Sequence, residues 1–288
     1  MPNPTFEQIC PVDDEFAETF EDALLSGARI ARRSSVCFVG LARQLGDITS
    51  VTCGRIEETA KHFNTQCAYI FENDSTDETK GKLAAWKPPF PAHVESRNLA
   101  REHLPLLRDD KRTTPLAEYR QRCVEFVASL HPLPDYVIAM DMYLWGGWRN
   151  AGILTGIHYL ESIPNAACMA SVSMAQIPHF NDQWIHYDAW AHRPHWSWRQ
   201  RPEMWFHHYL PPVGAPPIRV NSAFGGLAIY KTSAYITGVY SGIHLGLGDC
   251  EHVSFHRSMQ GDTYLNPSQR TIVFWSEPKD EAEGVVEK

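Results

Sequence analysis

The chain predicts an α/β fold built on a mainly parallel sheet, and three features predict it. Short, almost unbroken apolar runs, Ser35–Leu41 (SVCFVGL), Cys67–Phe71 (CAYIF) and Asp135–Leu144 (DYVIAMDMYL), have the length and composition of strands buried on both faces. Helical patterns separate the runs. Polar loops follow the first two runs at once, and in open α/β sheets ligands sit at the carboxyl ends of strands. The length of 288 residues allows one large α/β domain or two small ones, and a hydrophobic content of 43% is ample for a core.

Residues 1–13, with Pro2, Pro4 and Pro11, read as irregular. Asp14–Arg33 is a helix, with Phe16, Phe20, Leu24, Ala28 and Ile30 at three- and four-residue spacings. Arg29, Arg32 and Arg33 sit at its end, where the helix dipole favours cations. Ile48–Phe63 is the helix between the first two strands, which completes a β-loop-α-β unit. A further helix-like segment spans Glu78–Trp86, and Pro88, Pro89 and Pro91 break the chain before a third strand at Ala92–Ser96. Leu116–Leu130 is amphipathic and helical, ended by Pro132 and Pro134.

Beyond Leu144 the texture changes. Residues 179–208 hold six of the fourteen histidines and five of the nine tryptophans. Pro211–Pro217 is a loop, Asn221–Lys231 (NSAFGGLAIYK) is strand-like around a Gly-Gly pair, Tyr235–Gly248 is glycine-spaced loop, and Asp249–Gln260 reads as a helix with an acidic start. The expected organisation is an extension with a helix over 1–34, one catalytic-type domain over 35–276 and a charged, disordered tail over 277–288.

Composition narrows the function. A formal charge of −8 argues against nucleic-acid binding, which wants a basic face. Seven scattered cysteines with no CxxC spacing fit reduced thiols in a cytoplasmic protein. The start MPNPTFEQICPVDDEF has neither the basic patch nor the apolar core of a signal peptide, and no apolar run reaches membrane-spanning length. Peripheral membrane association is left open.

Four segments could carry chemistry. The loop Glu72-Asn73-Asp74-Ser75-Thr76-Asp77 is rich in short acceptors. It could grip a nucleoside, or Ser75 or Asp77 could simply cap the next helix. Asp141, at the end of a buried strand, needs a partner: a divalent ion on a ligand phosphate, or a loop it caps. The basic stretch Arg108–Arg122 supplies Arg112 and Arg120, whose forks suit phosphate oxygens. Gly248-Asp249-Cys250-Glu251-His252 sets two acids and an imidazole at a helix start, where the dipole favours an ionised carboxylate able to act as a general base. His256 falls one turn after His252, on the same helix face. The histidine-rich segment has no HExxH and no paired Cys/His spacing, so packed histidines outweigh zinc there. Its tryptophans suit the C–H face of a sugar, with Asp188 as a carboxylate for the hydroxyls.

In order, VCFVGLAR, YIFENDSTDET, VIAMDMYL, HYDAWAHR, SAFGGLAIYK and CEHVSFH resemble a GT-A nucleotide-sugar glycosyltransferase over roughly residues 35–260. The nearest likeness is to capsule- and lipopolysaccharide-type transferases of bacteria and to fungal capsule mannosyltransferases. The resemblance implies a single GT-A (Rossmann-like) domain, with a twisted, mainly parallel sheet flanked by helices and the site at the strand C-terminal edge. It implies transfer of a sugar from a UDP- or GDP-sugar to an acceptor hydroxyl on a glycan or glycolipid, as in polysaccharide biosynthesis. By position, the strand end at Arg43, then Glu72, Asn73 and Asp74, would bind the nucleoside. Arg112 and Arg120 would help the diphosphate. Asp188, Gly225 and Gly226 would border donor sugar and acceptor. Asp141 matches the first acid of the metal-binding DxD motif, whereas Tyr143 stands where its second acid belongs. Glu251 matches the base of inverting members, with Asp249 second choice. His252 or His256 would complete a shell for Mn²⁺ or Mg²⁺. The rivals are a non-catalytic carbohydrate-binding protein on a degenerate GT-A fold, a sugar-nucleotide nucleotidyltransferase, and a zinc hydrolase. The single glycine in Gly40-Leu41-Ala42-Arg43-Gln44 counts against the nucleotidyltransferase.

Overall fold

The computed structural model describes residues 6–103, 109–177, 183–187, 190–199, 210–244 and 246–274. Asp188, His179, His207, His208 and the expected charged tail lie outside these residues. A short helix α1 (Phe6–Ile9) and a 3-10 turn (Asp14–Phe16) lead into α2 (Ala17–Ala31). Then come β1 (Ser35–Ala42), α3 (Ile48–Ala60), β2 (Thr65–Asn73), α4 (Thr79–Ala85), β3 (Ala92–Arg97), α5 (Asp110–Ser129) and β4 (Tyr136–Asp141). The second half holds β5 (Gly147–Trp148), α6 (Asn150–Ser162), β6 (Ala166–Ile177), β7 (Gln183–His186), β8 (Arg193–Pro194), β9 (Ile218–Ser222) and β10 (Leu227–Lys231). The hairpin β11 (Ile243–His244) and β12 (Leu247–Gly248), a helix over Glu251–Ser258 and the long β13 (Asp262–Phe274) complete it.

The main sheet runs β3-β2-β1-β4-β10-β6-β13-β9-β8. Its first four strands are all parallel, in a register that sets Gly40 beside Ile70 on one side and Met140 on the other. The remaining half is mixed: β10 runs antiparallel to both β4 and β6, while β6 and β13 are parallel. Side chains alternate across the sheet. Val36, Phe38, Ile70, Ile138 and Met140 enter the core layer that also holds residues of α2, α3 and α6, and Cys37, Val39, Phe71, Val137 and Ala139 enter the layer that holds residues of α5 and the Glu251–Ser258 helix. Burial on both faces is why β1 and β4 read as continuous apolar runs rather than alternating ones. This is an α/β fold with a central sheet flanked by helices. The helix of the N-terminal extension shares its core, since Ala23 and Ala31 are buried in it and Gly27 meets the backbone of Leu154 too closely for any side chain. No helix of the described residues is long and apolar enough to cross a membrane.

Candidate functional site

β1, β2 and β4 are parallel neighbours, so their carboxyl ends meet at one edge of the sheet. There Arg43, Asn73 and Asp141 line a cleft of about 420 Å³, within the range of small-ligand sites. α5 crosses the opening and adds Lys111, Arg112, Tyr119 and Arg120. The Glu251–Ser258 helix adds its first two residues, Glu251 and His252, while Tyr187, Trp190 and Phe224 supply aromatic walls. Positions 73, 141 and 251, far apart in sequence, therefore border a common cavity.

Arg120 is its centre. Its Nη2 donates to Asp141 Oδ1 and its Nε donates to Glu251 Oε1, both at 2.7 Å, and its guanidinium lies 4.9 Å from the centroid of the Phe224 ring. Arg120 and Glu251 are buried and Asp141 nearly so. Burial opposes the Arg120 charge, but the two carboxylates outweigh it and hold the guanidinium well above its ordinary pKa. The helical spacing 112, 116, 119, 120 aligns Arg112, Leu116, Tyr119 and Arg120 on one face of α5, the face that lines the cleft. One step outward, Arg112 rests 5.7 Å over the Trp190 ring.

The acceptor-rich loop after β2 has a different task from the one expected. Glu72 is fully buried, accepting from the Ser75 amide at 2.9 Å and from the Ser96 hydroxyl. Asp74 accepts from the amides of Leu99, Ala100 and Arg101 and from the Asn73 side chain. Burial pushes against its ionisation, yet these four donors prevail and hold its pKa down at about 2. Ser75, Asp77 and Thr79 receive the amides of Gln44, Gly46 and Leu45, and the Gln44 side chain takes the amide of Thr76, which fastens the β1 loop to the β2 loop. The oxygens of Glu72 and Asp74, expected to contact a nucleoside, are engaged inside the scaffold, and of residues 72–74 Asn73 lines the cleft. Arg43 does line it, while donating to the carbonyls of Glu102 and Arg101.

Asp249, the second choice for the base, is also engaged within the chain. Both of its oxygens, at 2.6 and 2.8 Å, accept from Arg193, a fully buried residue that also donates to the carbonyls of Trp190, His192 and Trp198. This clamp fixes the His/Trp segment against the start of the Glu251–Ser258 helix and leaves Asp249 off the cleft lining. Gly225 and Gly226, with φ of +65° and +73°, do not line it either. A Cβ on Gly225 would stand 2.1 Å from the Ser171 carbonyl oxygen, so the turn requires glycine, and its Gly226 carbonyl takes the amide of Asp141 at 2.7 Å. The pair follows Phe224 and carries the carbonyl that holds Asp141. Asp188 lies outside the described residues.

The expected metal shell of Asp141, His252 and His256 is not assembled. His256 is held by Ser222 Oγ and Tyr230 OH at 3.0 and 3.1 Å, away from the cleft lining, and burial pulls its pKa down to about 3. His252 is 2% exposed and lines the cleft, stacked on Phe224 with ring centroids 3.8 Å apart. Burial, then Arg120 and His256, press its pKa well below the ordinary imidazole value, so it is neutral, and neither ring nitrogen has a hydrogen-bond partner. A buried polar group left unpaired in this way calls for an explanation, and a ligand is one. Among the described residues no group of three His, Cys, Asp or Glu side chains is disposed to hold a metal ion, at this site or around the histidines of the aromatic segment. A guanidinium already bridges the acids between which a divalent cation would sit, and Tyr143, 41% exposed, carries a neutral phenol where a second acid would be needed. Among the described residues, those lining the cleft do not fit a metal.

No family model and no curated protein matches this sequence. Solved structures are similar to it. The mannosyltransferase of Pyrobaculum calidifontis, in complex with GDP-Man and Mn²⁺, matches with a TM-score of 0.48 at 12% identity, over 90% of this chain and 66% of its own. Mannosyl-3-phosphoglycerate synthase from Rubrobacter xylanophilus matches with a TM-score of 0.39 at 13% identity, over 75% and 59%. Glucosyl-3-phosphoglycerate synthase from Mycobacterium tuberculosis, in complex with UDP, gives 0.45 at 12% identity, over 90% and 76%. The chain thus spans less than two thirds of the length of the first two. With TM-scores below 0.5, these likenesses carry no conclusion about its substrate or mechanism.

Proposed function

We propose that this protein is a nucleotide-sugar glycosyltransferase acting from the Arg120 cleft. The observation that carries the reading is the junction of Arg120 with Asp141 and Glu251, at 2.7 Å each, in a concave site at the carboxyl edge of parallel strands. A cation fixed between two carboxylates beside an aromatic wall suits a substrate with an anionic diphosphate at one end and a sugar at the other. The sequence resemblance to GT-A transferases points the same way.

In the reaction, the acceptor hydroxyl oxygen forms a bond to the anomeric carbon of the donor. The bond from that carbon to the diphosphate oxygen breaks, and its electron pair leaves with the nucleoside diphosphate, which gains one negative charge. The hydroxyl proton passes to Glu251 and then to solvent. Glu251 serves as the base because it is the buried acid that lines the cleft, whereas Asp249 is not among the lining residues. Attack opposite the departing diphosphate inverts the anomeric centre. Arg120 and Arg112 face the charge that develops on the leaving group, where preorganised cations act most strongly. Asn73, which lines the cleft, would take the nucleoside, and Trp190 and Tyr187, which also line it, the sugar face. UDP- or GDP-hexoses are the donors proposed, and a glycan, glycolipid or small hydroxylated molecule the acceptor.

Turnover of a panel of UDP- and GDP-sugars, with calorimetric binding of the same donors, tests this. Glu251→Gln should keep donor binding and lose about 10²–10⁴-fold in turnover, the usual contribution of a general base. Unchanged turnover in that variant removes Glu251 from the role.

A further inference from the structure

Resting on that reading, the geometry points to a metal-independent transfer: we propose that Arg120, with Arg112 and Lys111 from the same helix, neutralises the donor diphosphate in place of a divalent ion. Arg120 already joins Asp141 to Glu251 at 2.7 Å on each side, the bridging position in which a bound cation would reconcile two buried carboxylates. A divalent ion on Asp141 would have to share that carboxylate with a guanidinium, against direct charge repulsion, or expel Arg120 from a site where both its partners are buried or nearly so. Position 143, where a second acid would balance the added charge, is a tyrosine. Glu102 is the remaining acid of the lining, and it belongs to the outer segment whose carbonyls Arg43 holds.

The cations form a path suited to a chain of two phosphates. Arg112 and Arg120 lie eight residues apart on one face of α5, roughly two turns or about 12 Å of helix. Lys111 and Arg112 flank the outer part of the cleft and Arg120 its inner end. A guanidinium carries five N–H donors, and the bonds to Asp141 and Glu251 use two of them. On departure of the nucleoside diphosphate, the extra negative charge develops beside a cation that is already oriented and shielded from water, so no ion has to arrive with the donor.

The test uses the full chain freed of metal by EDTA dialysis. Calorimetry with UDP, GDP and a UDP- and a GDP-hexose is run in EDTA and again with Mn²⁺, and Mn²⁺ electron paramagnetic resonance reports any bound ion. Nucleotide affinity that changes less than about twofold between the two conditions, with no protein-bound Mn²⁺ signal, supports the proposal. Arg120→Gln should then weaken diphosphate binding about 10–100-fold, the value of a charged hydrogen bond, with a smaller effect on the monophosphates. Arg120→Lys should recover part of the loss. Should Arg120→Gln not fold, Arg112→Gln offers the same comparison on the outer cation. Binding that requires Mn²⁺ overturns metal independence and leaves the glycosyltransferase reading standing. Absence of nucleotide binding in both conditions overturns that reading, and this inference with it.

Discussion

Acid should weaken this protein before its carboxylates begin to titrate, because it buries neutral histidines. His256 is 4% exposed, locked between Ser222 and Tyr230, with its pKa down at about 3, against about 6.5 in an unfolded chain. The unfolded chain therefore binds a proton that the folded chain refuses. The contribution of His256 is fully present above pH 6.5 and declines as pH falls toward 3, at about 1.4 kcal/mol per pH unit. From pH 6.5 to 5 that amounts to about 2 kcal/mol. His252, pressed well below the ordinary value by burial, pulls in the same direction. The His256 share alone is a sizeable part of the 5–15 kcal/mol typical of a folded domain. Asp74, held at about 2, exerts its own linkage only below about pH 4. Urea unfolding at intervals from pH 8 to 5 measures the slope, and His256→Gln, which keeps a hydrogen-bonding side chain but cannot titrate, should reduce it by about one proton. A slope in His256→Gln equal to that of the parent protein would show that the imidazole is not held neutral and would refute the reasoning.

Two further substitutions probe the scaffold under the cleft. Asp74→Ala strands the amides of Leu99, Ala100 and Arg101 and should cost about 1–3 kcal/mol in chemical denaturation; an unchanged midpoint would mean that the amides find other partners. Gly225→Ala forces a side chain into a left-handed backbone position and against the Ser171 carbonyl, so thermal unfolding should drop by well over the equivalent of about 1 kcal/mol, and a stable variant would show that the turn yields.

Three strands of the parallel half were legible because β1, β4 and most of β2 are buried on both faces and apolar, while β3, AHVESR, is a largely exposed edge strand. The reading of Ala92–Ser96 and Cys67–Phe71 stands within β3 and β2, and the helix expected at Leu116–Leu130 begins earlier, at Asp110, where the Asp109 side chain accepts the Lys111 amide as a cap. The other half carried weaker signals. β6, AACMASVSMAQI, is small and part-polar: Ser171 and Ser173 are both buried in it, and Ser171 donates to the Leu227 carbonyl and accepts from Gln269. α6 is buried around most of its circumference between α2 and β13, so no polar stripe marks its face. The run Asn221–Lys231 reads as one strand but is two, since the positive-φ glycines divide β9 from β10.

At the cleft, residue type pointed to the right neighbourhood but not to the individual contacts. The carboxylates at 72, 74, 141, 249 and 251 look alike in a linear chain. What separates them is what each one meets: backbone amides for Asp74, Arg193 for Asp249, and a shared guanidinium for Asp141 and Glu251. The missing information was the identity of the partner, and partners here come from 20 to over 130 residues away. One local clue was available. The face of α5 defined by 112, 116, 119 and 120 combines two arginines with apolar and aromatic residues, which is unusual for a solvated helix surface and natural for one that carries charge into a buried site. Because Arg120 satisfies Asp141 and Glu251 at once, its removal leaves two buried or nearly buried carboxylates unpaired, whereas removal of either acid leaves Arg120 paired with the other, so the three substitutions should be strongly non-additive. On the proposed function, the same coupling would serve the chemistry: a ligand that draws Arg120 toward its own negative charge would loosen the hold on Glu251 and free that carboxylate to take a proton.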